Sequence, residues 1–303
     1  MKKRIVITGA TGLIGKKLVK RLLPDFDITI FSRSIDNAKK VFPECKIVKY
    51  NYATPDDWEE ELEGVYGVVH LAGENVASGR WTKMQKQKIY NSRIISTENL
   101  VNVINKSDVK PEVFVTSSAT GYYGYSDTEV FTEDSPAGDG FLADVCADWE
   151  DAATCELPKY VRHVAVRTGV VLDKNEGALA KMLLPFKLFA GGPLGSGKQW
   201  MPWIHVDDLV EIYFRAITDE TLSGPVNGTA PNPVRMKEFA GTLGKVLGRP
   251  SILPVPGFAV KMLMGEASEI ALEGANVLPD KLNKSDFNFK YSTLKKALED
   301  LLK

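Results

Sequence analysis

The chain has 303 residues, 44% hydrophobic and 25% charged, with a formal net charge of −1. This length and composition exclude a disordered or fibrous chain and allow one large α/β unit or two domains. Near-neutral charge gives no global field for nucleic acid or anionic lipid, and Cys45, Cys146 and Cys155 have neither metal-type nor disulfide-framework spacing.

The first strand is expected at Arg4–Thr8, a short apolar β-branched run suited to a central parallel strand. Lys16 and Lys17 cut the apolar stretch too short for a signal peptide, and no apolar run approaches the roughly 20 residues of a membrane span. A reduced, cytoplasmic compartment is therefore expected. Gly9, Gly12 and Gly15 follow the strand directly and open a helix over Leu13–Leu23. Gly9 suits a tight turn, Gly12 a close approach to phosphate, and Gly15 close helix–strand packing, with the helix N-terminus aimed at the anion. A plain strand-to-helix turn is the alternative. The order strand, glycines, helix favours a dinucleotide, and Thr11, Leu13 and Ile14 complete the cofactor turn.

The second strand, Ile28–Ser32, ends at Ser32-Arg33, where dinucleotide enzymes distinguish their cofactors. A permanently charged guanidinium suits a 2′-phosphate, so NADP(H) is expected; a solvated surface Arg is the alternative. Strands follow at Ile47–Tyr50 and Val65–Leu71. The small residues of Leu71-Ala72-Gly73 would let the backbone pass beneath the adenosine half. A long helix near Thr82–Asn105 carries Arg93, which contacts the cofactor or stays on the helix surface. Val113–Ser117, the helix Phe141–Cys155 and Val161–Arg167 extend the βαβ alternation of an α/β, doubly wound parallel sheet.

Beyond Arg167, glycine and proline crowd Gly191–Pro202, Gly224–Pro233 and Pro250–Gly257, with helices expected at Asp207–Thr218, Lys237–Leu247 and Thr293–Leu302. The pattern predicts a Rossmann-type domain over 1–170, rejoined by 203–230. A smaller C-terminal substrate lobe takes 171–202 and 231–303. Gly192–Lys198 nearly fits an ATP-binding loop, but Gln199 stands where Mg²⁺ needs a hydroxyl. His205, followed by Asp207 and Asp208, suits proton transfer or helix capping. No metal-ligand cluster and no basic aromatic stripe is present.

Thr8–Gly15, Leu71–Gly73, Ser117–Thr120 with Tyr123-Gly124, and Arg167–Gly169 resemble an extended short-chain dehydrogenase/reductase of the nucleotide-sugar epimerase and dehydratase branch. Leu71–Asn75, Arg80-Trp81, Gly121–Gly124 and Gly177–Met182 are similar to an atypical NAD(P)-dependent epimerase family within it. So are Gly191–Trp200, Trp203–Asp208 and Asn227–Pro231. The resemblance implies a Rossmann-type fold, NADP binding, Val171 beside the nicotinamide, and Lys198 and Trp200 on the substrate side. It also implies chemistry through Ser, Tyr and Lys. Ser118 matches the serine, but the Tyr and Lys positions fall on Leu142 and Cys146, in an apolar stripe with Trp149 and Ala153. Tyr123, beside Tyr122, is the nearest substitute phenol; Asp144 and Glu74 are candidate carboxylates.

The expected activity is hydride transfer at a carbinol or ketone carbon of a polar, phosphate- or nucleotide-bearing small molecule. A non-catalytic NADPH-responsive regulator and an ordinary ketone reductase are the alternatives. Neither nucleic acid nor membrane is expected as a partner; monomer and homodimer both stand open.

Overall fold

The computed structural model describes residues 2–54 and 58–303. Seven parallel strands form the main sheet: β1 (Lys3–Thr8), β2 (Phe26–Ser32), β3 (Lys46–Lys49), β4 (Gly67–His70), β5 (Val113–Ala119), β7 (Arg162–Thr168) and β11 (Gly224–Gly228). Their order is β11-β7-β5-β4-β1-β2-β3, so the chain reverses direction across the sheet between β1 and β4. A doubly wound sheet binds its ligand at such a point, beyond the carboxyl ends of the strands. The sheet is the expected Rossmann-like α/β fold.

Burial on both faces explains the unbroken apolar run of β1. Ile5 and Ile7 join the core beneath α1 (Leu13–Leu22) and α7 (Val206–Thr218). Val6 packs on the opposite face with Phe114, Leu100 and Val101, beneath α4 (Ile94–Lys106). Residues of alternate direction therefore supply two separate cores.

The helix expected at Thr82–Asn105 is two helices, α3 (Lys83–Asn91) and α4, divided at Ser92-Arg93. Ser92 Oγ donates to the Ile89 carbonyl (3.0 Å) and accepts from the Glu74 amide (2.9 Å). This ties the break to the loop after β4. Hydrophobic periodicity runs through such a break without marking it.

A further core cluster includes Leu172, Leu179, Phe186, Trp203, Phe239 and Leu298. Short strands outside the main sheet pair locally: β8 (Val170–Leu172) with β10 (Trp203–His205), β9 (Trp200–Met201) with β12 (Val234–Arg235), and β6 (Val130–Phe131) with β13 (Asn276–Val277). Two helices lie where no helix is expected from the sequence, α6 (Gly177–Lys187) and α9 (Gly257–Met264).

Buried carboxylates join lobe to sheet by accepting backbone N–H groups. Glu133, 5% exposed, accepts from Asn227 (3.0 Å) through one oxygen and from Asp280 (3.1 Å) and Lys281 (3.3 Å) through the other. Asp208 likewise accepts from Lys290 and Tyr291, both at 2.9 Å. Each is a charge-assisted contact that orders a distant stretch of chain. Replacing Glu133 with Ala would leave three amide donors without an acceptor. We expect a loss of about 3 kcal/mol, seen as a lower urea midpoint at unchanged slope. Glu133→Gln, which keeps one carbonyl, should lose less; equal losses would show that the carboxylate is not what holds the seam.

Candidate functional site

The turn after β1 is shaped by backbone contact. Gly9 has a φ of +70°, and a Cβ there would sit 2.7 Å from the Ala72 nitrogen; one at Gly15 would sit 2.4 Å from the Gly9 carbonyl. Gly9 and Gly15 thus let β1, α1 and the loop after β4 converge. Gly12 differs: its only near neighbour is the Gly9 carbonyl at 3.3 Å, leaving open space outside the elbow. Gly12 caps α1 without a side-chain hydrogen bond, and the first turn holds no acidic residue. Half-buried Thr11, Leu13 and Ile14 line this uncapped, positive helix end, which suits a diphosphate.

Two other segments meet it. A Cβ on Gly177 would touch both Leu13 (3.5 Å) and the Val171 carbonyl (3.6 Å), so Val171 lies beside the start of α1. Beyond β2, Ser32 Oγ donates to the Ser34 carbonyl (3.0 Å). Arg33 is exposed, and the Lys49 ammonium donates to its carbonyl oxygen at 2.6 Å. Two cations therefore stand together beyond β2. Lys49 was not singled out from the sequence; its place on the neighbouring β3 is the signal, visible once strand order is known.

Arg93 reaches the crevice but is already engaged. Its Nη1 donates to the carbonyls of Glu74 (2.9 Å) and Ile89 (3.1 Å), and its guanidinium lies 3.2 Å from where a Gly73 Cβ would stand. It holds the Leu71-Ala72-Gly73 loop, with burial lowering its pKa. Below it, His70 is fully enclosed, with Nδ1 2.7 Å from Thr8 Oγ1. The Ala72 amide donates to that hydroxyl (3.2 Å), so Thr8 ties the loop after β4 to the enclosed imidazole.

Ser118 is 3% exposed, and its hydroxyl donates to Glu150 Oε1 at 2.6 Å. Arg167 grips the same carboxylate with two parallel bonds, 2.8 and 2.7 Å. Its third nitrogen donates to the Tyr123 hydroxyl (2.9 Å) and to the Glu133 carbonyl (3.3 Å). Burial works against the guanidinium's charge, but Glu150 holds its pKa above the ordinary value. Tyr123 is 2% exposed and passes its proton to Asn227 Oδ1 at 2.6 Å. Burial pushes its pKa up to about 12, against the pull of Arg167. The phenol expected as the catalytic substitute is thus a closed structural group. Tyr122 is different. It is half-buried, its ring lies 3.4 Å from the Arg167 guanidinium, and its hydroxyl has no partner among the described residues.

Leu142 and Cys146 occupy the floor beneath this turn. A Cβ on Gly121 would lie 3.2 Å from Leu142 Cβ and 3.9 Å from Cys146 Sγ. Burial pushes the thiol up to about 11, so it stays protonated. Of the candidate carboxylates, Asp144 is exposed on α5 (Phe141–Thr154), and Glu74 accepts from Gln85 (3.4 Å).

The expected substrate-side residues do not meet at one point. Lys198 is exposed. Trp200 packs in the lobe seam, with Nε1 donating to the Asp127 carbonyl (3.1 Å) and Arg235 lying 3.9 Å over its ring. His205, 1% exposed, caps α7 by accepting the Asp207 amide at Nδ1 (3.1 Å) and stacks 3.7 Å from Tyr291. Capping is its structural use. His205, Asp207 and Asp300 come within metal-ligating reach of one another. However, the capped Nδ1 puts the ring's proton on Nε2, leaving no lone pair for an ion.

A model of the NAD dependent epimerase/dehydratase family matches residues 5–140, and one of a domain of unknown function, DUF1731, matches residues 255–301. The chain is 46% identical to the chloroplastic epimerase family protein SDR39U1 homolog of Arabidopsis thaliana, covering 98% of this chain and 86% of that one. It is 39% identical to the epimerase family protein YfhF of Bacillus subtilis, covering 98% and 97%. The crystal structure of human epimerase family protein SDR39U1 (isoform 2) with NADPH superposes with a TM-score of 0.89. Identity there is 34%, covering 98% of both chains. Among the described residues, no helix is long and apolar enough to cross a membrane.

The enclosure of His70 has a measurable consequence. Burial, and secondarily Arg93, lowers its pKa from 6.5 to about 3. The unfolded chain takes up a proton that the folded chain refuses. Stability is therefore complete above pH 6.5 and is lost as pH falls through the interval down to about 3. His70 should contribute a loss of roughly 2 kcal/mol between pH 7 and pH 5. Urea titrations at both pH values should show this loss shrinking in His70→Gln; an identical loss would place the acid sensitivity elsewhere.

Proposed function

Because the chain belongs to the epimerase family that includes SDR39U1, within the NAD dependent epimerase/dehydratase family, we propose that it binds NADPH across the carboxyl ends of β1, β2 and β4 and serves hydride transfer at a carbinol or ketone carbon of a polar small molecule. The observation that carries this is the glycine elbow opening onto an uncapped helix, with Arg33 and Lys49 together beyond β2. The first turn of α1 would hold the diphosphate, and the two cations the 2′-phosphate. Leu71, Ala72 and Gly73 would lie under the adenosine half, and Val171 beside the nicotinamide. Bound NADPH supplies the hydride.

The chain's own contribution to proton handling is limited. Ser118 has committed its proton to Glu150, so its remaining lone pairs are acceptors for a substrate hydroxyl. Tyr123 and Cys146 keep their protons at neutral pH. Tyr122 is the half-buried phenol beside them, with the Arg167 guanidinium stacked on its ring. Lys198 is the free cation assigned to an anionic substrate group. All three cysteines are unpaired, which suits a reducing compartment such as the cytoplasm. The apolar floor of Leu142 and Cys146 favours a second reading, in which NADPH binding is kept and turnover is lost.

Titration calorimetry tests the cofactor assignment. Arg33→Ala and Lys49→Ala should each weaken NADPH binding about tenfold and leave NADH within about twofold. Equal losses for the two cofactors would remove the assignment. Deuterated NADPH, offered with a panel of ketones and nucleotide sugars, separates the two readings. Transfer of label to any of them supports turnover, abolished by Tyr122→Phe if that phenol moves the proton. Tight binding without transfer supports the binding protein.

A further inference from the structure

The net charge of −1 conceals a separation of charge along the chain. Residues 75–97, 177–206 and 239–265 contain eleven of the 38 cations and none of the 39 acids. The fold brings these stretches into one band. Arg249 lies 4.6 Å over the Phe189 ring, and Val255 donates to the Pro193 carbonyl at 2.9 Å. Arg80 donates to the carbonyls of Met262 and Leu263 at the end of α9.

The same band is unusually apolar at its surface. Nine of the fourteen exposed large hydrophobic side chains fall within these stretches, among them Leu188, Phe189, Leu253, Phe258, Met262 and Leu263. On α9, Phe258 and Met262 stand four positions apart on the side opposite buried Val260, and Leu263 at the helix end is also exposed. Phe189 is the only non-glycine residue with positive φ among the described residues, at 61°. A bulky side chain in that conformation is disfavoured, yet the ring it presents remains 58% exposed.

We propose that this band is a docking surface for an anionic lipid bilayer. Exposed Leu, Phe and Met side chains enter the interface between headgroups and acyl chains, and the surrounding Lys and Arg bind acidic headgroups. Lys187, Lys245, Arg249 and Lys261 are exposed and border the apolar residues. A second copy of the chain fits poorly. A two-fold contact would set this cation-rich surface, in which Lys86 is already paired with Glu266, against itself, placing cations opposite cations. The proposal is independent of the cofactor and of any turnover.

Co-sedimentation with sucrose-loaded vesicles provides the test. The full chain should pellet with phosphatidylcholine vesicles containing about a third phosphatidylglycerol, at least about fivefold more than with phosphatidylcholine alone. Raising salt from about 0.05 M to about 0.5 M should release most of it. Phe258→Asp with Leu263→Asp changes side chains that are 71% and 78% exposed. That double variant, and Arg249→Glu with Lys261→Glu, should each reduce binding about tenfold at an unchanged circular-dichroism melt. Absence of pelleting at low salt, or pelleting that neither variant reduces, would overturn the proposal. So would a dimer in sedimentation velocity that both variants dissociate while wild type leaves the vesicles untouched, since the band would then belong to a second copy.

Discussion

The enclosed guanidinium of Arg167 is the contact on which the rest of the site depends. Its side chain is 4% exposed, so each donor needs a fixed acceptor. Glu150 on α5 supplies two, and the Tyr123 hydroxyl and the Glu133 carbonyl supply two more. Tyr123 then continues to Asn227 on β11, and the Glu133 carboxylate to the amides of Asp280 and Lys281. One cation thereby links β7, α5, the edge of the sheet and the C-terminal segment. Removing either member of such a buried pair costs about 3–5 kcal/mol, because the other charge stays buried alone. The catalytic poverty of the region follows directly. Glu150 and Tyr123 lie close to Ser118, but their lone pairs and protons serve the network.

The glycine elbow obeys a different constraint, backbone proximity rather than charge. At Gly9 and Gly15 a single added carbon would overlap main-chain atoms at 2.7 and 2.4 Å, whereas Gly12 leaves room outside the turn. The first two glycines build the crevice; the third leaves it open for a ligand. Thr8 completes the arrangement from within, sharing a hydrogen bond with His70 and accepting one from the Ala72 amide.

Much of this was legible in the chain, for identifiable reasons. The elbow and the βαβ alternation are local patterns of short range, and β1 shows its double burial as an unbroken apolar run. The break at Ser92-Arg93 was not legible, because it is held by Glu74 eighteen or nineteen residues away. α6 carries Pro185 within it, and α9 follows directly on a proline-rich loop, so breaker residues masked both helices. Tyr123 read as a candidate phenol because its sequence neighbours say nothing of Arg167 and Asn227, 44 and 104 positions further on. Glu150 follows Trp149 on the apolar stripe and was hidden by it. Net charge is silent in the same way: a sum over the chain carries no information about three stretches that hold eleven cations and no acid.

Leu142 and Cys146 change the chemistry of the crevice by more than the loss of two functional groups. A lysine at the second position would add a cation to the floor; a thiol whose pKa is pushed to about 11 adds none. The same low-dielectric surroundings hold His70 near 3 and Tyr123 near 12. These three enclosed groups are held in their uncharged forms at neutral pH, because burial penalises charge of either sign, whereas Arg167 keeps its charge through Glu150. A proton exchanged at neutral pH must then pass through a group that still meets water. Tyr122, half-buried where Tyr123 is enclosed, meets that condition, and its ring lies against the Arg167 guanidinium. The network that immobilises Tyr123 therefore leaves the neighbouring Tyr122 outside its hydrogen bonds, with its ring against the same guanidinium.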